Sequence, residues 1–339
     1  MHSMIRRTAL LAQGVFHESG AKVRITEDGY TRVDPFSIAA KAGITVLLRP
    51  LDRLLGAFIR QSTSGILINT ERSAGLVHMT CAHELGHYYS GHQTTADETI
   101  DYGKSASIKE QEAEWFAYQL LAPRLVLANV LRRKGWTAQS LRNPIVLYQL
   151  SLRLGISYSA TAWSLRRQDL LDQSSVQKLL RVQPADIKRR LIGEEPLTPR
   201  REVWLLDESD QSSVLEPRPE DHLVLRLKGH ASSGYVWSPN ELAAEGFHIR
   251  PIEDAPTRST DLSDLVIGGL GTSDYLISSE VGDASVADQP VLLALEERRP
   301  WSKAAAPSAS YQATALFENI RPGLTNAAKS RLLQEATLA

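Results

Sequence analysis

Thr80-Cys81-Ala82-His83-Glu84-Leu85-Gly86-His87 is the stretch from which this 339-residue chain is best read. On a helix, His83 and His87 stand one turn apart and project their imidazoles from the same face. Neutral imidazole nitrogens are zinc ligands, and a catalytic zinc keeps one position open for a water whose pKa it lowers to about 7. Glu84, beside the pair, is placed to act as general base toward that water and then to hand its proton to a leaving amine. The HExxH pattern needs a helical context to mean this. Small and apolar neighbours and the preceding run Ile66–Ile68 supply it.

Working outward, Gly75 to about Gly91 reads as the metal helix. Ile44–Leu48 and Gly65–Asn69 read as strands, and Asp34–Lys41 as a helix. The next helix, Ile108 to Leu121, stops at Pro123 and carries an apolar stripe of Ala113, Phe116, Ala117, Leu120 and Leu121. Glu110 and Glu114 fall on or beside that stripe, where an acid is costly unless paired or metal-bound. Glu112 points more toward solvent. Either of the first two completes a three-ligand site of gluzincin-like HExxH…E type. His78, Cys81 and His92 are weaker competitors: Cys81 and His78 point away from the histidine face, and His92 follows Gly91, past the helix end. Tyr88, Tyr89, His92 and Tyr158 are all candidates to stabilise an oxyanion.

The pattern stays helical from Pro123 to Ile192, with Gly155 in a helix-turn-helix-like break. Gly193–Arg200 is rich in Pro and charge and suits a linker. Beyond it, Val203–Leu206, Leu223–Leu227 and Val291–Leu295 read as strands between turn residues, the spacing of an all-β sandwich. The expected organisation is α+β. It comprises a metallopeptidase domain over 1–125, a helical extension over 126–195, a linker over 196–202, a β-sandwich over 203–320 and a helical tail over 321–339. The net charge of −1 gives no case for nucleic-acid binding by the whole chain. One cysteine precludes an intramolecular disulfide and fits a reducing, cytoplasmic setting. The apolar run Ala9–Ala12 after Arg6 and Arg7 is too short for a secretory signal, and no stretch approaches a membrane span.

Together these segments resemble the ImmA/IrrE family of zinc metallopeptidases over roughly residues 5–195. The similarity lies in Val33-Asp34-Pro35, Gly43-Ile44, Ile68-Asn69, the His83–His87 block, and Glu110, Ala113, Phe116, Ala117, Leu120, Leu121 and Pro123. The resemblance implies a zincin-like fold, selects Glu110 as third zinc ligand and makes Glu114 a hydrogen-bonding partner of a metal-bound histidine. Many relatives carry Asn or Asp at that last position. It also implies site-specific cleavage of a helix-turn-helix repressor, relieving repression in a stress response or mobile element.

The C-terminal part resembles chagasin-like inhibitors of papain-type cysteine peptidases, which are immunoglobulin-like sandwiches. Ser232–Trp237 carries the first loop motif with Gly234, Tyr235 and Trp237, although His230 and Ala231 replace its usual Asn-Pro. Gly268–Gly271, with Gly269 and Gly271, is an imperfect second loop, and Arg299-Pro300-Trp301 is the third. The resemblance implies loops that contact a peptidase or other protein partner. The alternative reading of the whole chain is therefore a binding or inhibitory protein whose metal site is regulatory.

Overall fold

The computed structural model describes residues 2–61, 64–97, 107–193, 198, 200–238, 247–252, 271–279, 290–301 and 306–338. It is α+β, with helices concentrated before residue 193 and two of its three sheets after residue 200. Two compact units emerge. The first gathers residues 1–131, 150–176 and 320–339, and the second gathers 132–149 and 177–319.

The first unit opens with α1 (His2–Glu18), α2 (Ala21–Thr26) and α3 (Pro35–Lys41). Asp34 caps α3, its carboxylate accepting from Phe36 N at 2.9 Å, and Pro35 occupies the first turn, where a missing N–H costs nothing. The strands β1 (Thr45–Arg49), β2 (Gly56–Ile59) and β3 (Gly65–Asn69) follow, then α4 (Ala74–Tyr89), β4 (Thr95–Asp97) and α5 (Ile108–Leu121). Next in chain order come α6 (Arg124–Lys134), α7 (Pro144–Leu154), α8 (Tyr158–Arg167), α9 (Gln173–Leu180) and α10 (Pro184–Ile192), of which α8 lies wholly in the first unit and α10 wholly in the second. The β1 and β3 strands are those expected. Two more, β2 and β4, are only four and three residues long, too short to show a pattern. Gly155, with φ 65°, makes the break between α7 and α8.

The sheet order is β13-β1-β3-β2-β4, and its first strand comes from the far end of the chain. There, β13 (Gly323–Leu324) pairs antiparallel with β1 through Leu47↔Leu324 and Leu48↔Gly323. The helix α11 (Asn326–Leu338) then packs on α3. Ala328 of this helix is buried, and its Arg331 donates to Thr45 Oγ1 at 2.8 Å.

The second unit holds the remaining strands: β5 (Val203–Leu206), β6 (Val214–Leu215), β7 (His222–Gly229), β8 (Val236–Ser238), β9 (Phe247–Pro251), β10 (Gly271–Ser279), β11 (Pro290–Arg298) and β12 (Ala309–Leu316). They form two four-stranded sheets, ordered β5-β7-β10-β9 and β6-β12-β11-β8. Burial alternates along β11 and β12, the period-two signature of a sheet with one buried face. Among the described residues, no helix is long and apolar enough to cross a membrane.

Candidate metal centre

The core of the first unit is the packing of α4 on α5. Two glycines permit the close approach the site requires. A β-carbon on Gly86 would lie 2.8 Å from Ala113 Cα and 3.0 Å from its carbonyl oxygen, so the helices touch backbone to backbone there. On β2, a β-carbon on Gly56 would lie 2.5 Å from Thr80 Cγ2 and 3.0 Å from Glu84 Oε1. The absent side chain is the space into which the Glu84 carboxylate fits.

Between the two helices, His83, His87 and Glu110 offer ligand atoms that all lie within 4.8 Å of one another. His83 Nε2 is 3.1 Å from Glu110 Oε2 and 3.1 Å from His87 Nε2, and His87 Nε2 is 3.6 Å from the same carboxylate oxygen. Donors about 2.0–2.2 Å from a tetrahedral zinc stand roughly 3.3–3.5 Å apart, so the three atoms match such a face. Two imidazoles and one carboxylate are also a donor set that zinc accepts while keeping a position open. The histidines and Glu84 are buried, whereas the Glu110 side chain is 25% exposed. The hydrogen bond with His83, and the His87 imidazole beside it, hold the Glu110 carboxyl well below the ordinary carboxylate range, against the opposing effect of burial.

The other candidates are distributed as follows. Glu114 is buried and accepts from Arg167 of α8 at 2.8 Å. Glu112 corrects the sequence reading: it is 6% exposed and lies 3.1 Å from His92 Nε2. Its flank of α5 is covered by α1, so the buried sector is wider than the single apolar stripe suggests. His92 is buried and stands outside the three-ligand group, its Nδ1 2.9 Å from His87 Nδ1. His78 lies between Arg32 and the Gly155 carbonyl, and Cys81 is a buried thiol whose pKa burial pushes up. Tyr89 stacks on Phe116 and Tyr88 packs edge-on against Phe58. Burial pushes the Tyr158 hydroxyl up to about 12.

These positions fall within a known family pattern. Residues 39–166 match the IrrE N-terminal-like domain, Peptidase_M78. The matched IrrE-like span contains α4 and α5 whole, and therefore His83, Glu84, His87 and Glu110. It supports a metallopeptidase-like function for this region and bears out the ImmA/IrrE resemblance there. No curated protein matches the sequence. Among solved structures, the cysteine protease inhibitor EhICP2 from Entamoeba histolytica is similar at 18% identity. That match covers 36% of this chain and all of the inhibitor, with a TM-score of 0.26.

In the β unit, four of the loop residues singled out from sequence meet. Trp301 lies over Gly234, whose φ of 79° and lack of a β-carbon admit the ring, and Arg299 stacks on Tyr235 with its guanidinium 4.6 Å from the ring centre. Pro300, between the two, is exposed. Trp237 does not join them: it lies in β8, 5% exposed, with its indole N–H donating to the Lys228 carbonyl at 3.3 Å. Gly271 begins β10 opposite Gly229. Gly269 lies outside the described residues.

Proposed function

We propose that this chain is a zinc-dependent, site-specific endopeptidase of the cytoplasm that cleaves a helix-turn-helix repressor. The observation that carries the peptidase reading is the convergence of His83 Nε2, His87 Nε2 and Glu110 Oε2 around one point, with buried Glu84 on the same helix. Zinc held there would supply Lewis acidity toward a water and the scissile carbonyl. Glu84 would take the proton of the attacking water and return it to the leaving amine. His83 and His87 hold the α4 side of the centre, and Glu110 holds the α5 side. The repressor, and the stress response or mobile element it governs, rest on the family resemblance.

The test is cleavage of a helix-turn-helix protein encoded beside this gene, with zinc content measured in parallel. Glu84→Gln is expected to retain about one zinc per chain while losing roughly 10²–10⁴-fold in cleavage rate. A chelator should abolish cleavage by the parent and added zinc should restore it. Undiminished cleavage by the Glu84→Gln protein would eliminate the mechanism.

A second reading has its own observation. Trp301 is 71% exposed beside the stacked Arg299 and Tyr235, and an exposed aromatic next to an arginine is the composition of an interface anchor. In this reading the β unit captures a peptidase or another protein partner and the metal site regulates that capture. Full-length protein should then inhibit papain, and Trp301→Ala should weaken inhibition at least tenfold. Absence of inhibition by the parent protein discards the inhibitor form.

A further inference from the structure

His87 uses both nitrogens of its ring. Nε2 faces the cluster, while Nδ1 lies 2.9 Å from His92 Nδ1, and His92 Nε2 lies 3.1 Å from Glu112 Oε2. The other oxygen of Glu112 accepts from the Arg7 guanidinium of α1. His87 is 0%, His92 7% and Glu112 6% exposed, so the chain of contacts runs inside the protein until it reaches Arg7.

Its geometry has a local cause. Helix α4 ends at Tyr89 and Gly91 adopts φ 76°. His92 N then donates to His87 O at 2.9 Å and Gly91 N to Tyr88 O at 3.1 Å. This pair of bonds is the Schellman closure that a left-handed glycine makes possible. It folds the residue after the glycine back along the last turn, which sets the His92 ring against His87. Arg60 fixes the turn further, donating to the carbonyls of His92 and Tyr88 at 2.8 and 2.7 Å.

With Glu112 ionised and the enclosed His92 ring neutral, proton accounting along this chain has one solution. Arg7 can only donate, and an ionised Glu112 can only accept. His92 Nε2 must therefore carry a hydrogen. In the neutral ring Nδ1 is then the acceptor, so His87 Nδ1 carries the next hydrogen and donates it. That leaves the His87 Nε2 lone pair facing His83 and Glu110, the one form in which this nitrogen can hold a metal.

Building on the metal-site reading above, we infer that His92 and Glu112 are positioning residues that lock His87 in its metal-binding tautomer, with Arg7 fixing the direction of the chain. Outer partners of this kind typically contribute about 10–100-fold in metal affinity.

The test turns on the amide of Glu112→Gln. Arg7 would hold its carbonyl oxygen, so the NH₂ group would face His92 and reverse every hydrogen back to His87. Zinc affinity of the full chain, measured by competition with a chelating dye, should fall about 10–100-fold. Adding Arg7→Ala should restore part of it, because the amide is then able to rotate and accept. The Arg7 side chain is 72% exposed, so this second change leaves the core intact. A merely structural defect at position 112 would not be relieved by removing Arg7.

Affinity in Glu112→Gln equal to the parent's, or a loss that Arg7→Ala does not relieve, overturns the inference. Failure of the parent to bind zinc at all would instead overturn the metal reading. Should Glu112→Gln not fold, two-bond proton–nitrogen spectra of the histidine-labelled, metal-free parent decide. His92 as the Nε2–H tautomer with His87 as Nδ1–H supports the assignment, and the reverse pair refutes it.

Discussion

At the scale of single residues, the site depends as much on missing atoms as on ligands. Gly86 sits mid-helix, where alanine would ordinarily gain up to about 1 kcal/mol from helix propensity. Here the added carbon would meet the Ala113 backbone at 2.8 Å, and backbone cannot swing aside. Overpacking of that kind costs about 1–3 kcal/mol, so the clash outweighs the propensity gain. Gly86→Ala is expected to lower stability by that amount and to weaken zinc binding, because it pushes Glu110 away from the histidines. Chemical denaturation and dye competition measure the two effects. A stabilised Gly86→Ala protein with unchanged zinc affinity would contradict this account of the α4–α5 contact.

At the scale of elements, α5 shows where the sequence pattern ran short. Its span, Ile108–Leu121, and the burial of Ala113, Phe116, Ala117, Leu120 and Leu121 were readable from period and from Pro123. The place of Glu112 was not, since two helices flank α5 and periodicity describes one face at a time. In the second unit, Lys134 meets Asp207 and Asp210 at 2.8 and 2.7 Å. Burial pushes the Asp207 carboxyl up, but the charge of Lys134 and hydrogen bonds from Lys134 and Ser209 bring it below its ordinary value. A carboxylate with a depressed folded pKa contributes stability above its unfolded pKa, near 3.9, and loses that contribution as pH falls through the folded value. Melting temperatures between pH 7 and pH 2.5 should therefore fall less steeply below pH 4 for Asp207→Asn than for the parent. Identical acid slopes would remove Asp207 from the explanation.

At the scale of the whole chain, the last segment belongs to the first sheet. Residues 320–339 fall in the same compact unit as the metal helix. The segment is held by the β1–β13 pairing, by Thr325 N donating to Val46 O at 3.2 Å, and by Arg331 on Thr45. With a net hydrogen bond worth about 0.5–1.5 kcal/mol, ending the chain at Asn319 is expected to cost about 2–3 kcal/mol. At roughly 2–4 °C per kcal/mol for a unit of this size, that is a fall of about 5–10 °C in the first unit's melting temperature. Calorimetry of the shortened chain checks this, and an unchanged transition would show that the strand contributes nothing.

The sequence by itself determined the chemistry: histidines one turn apart with a carboxylate between them, and a second acidic helix behind an apolar stripe. It determined these because local spacing on a helix fixes which side chains share a face. It also left Glu110 and Glu114 open until a family resemblance chose between them. Only the tertiary structure decided that Glu110 meets both imidazoles, that Glu112 and His92 stand behind His87, and that the end of the chain completes the first sheet. Those facts depend on where separate elements dock. Docking is set by backbone approach at Gly86 and Gly56 and by the turn at Gly91, which leave almost no trace in periodicity.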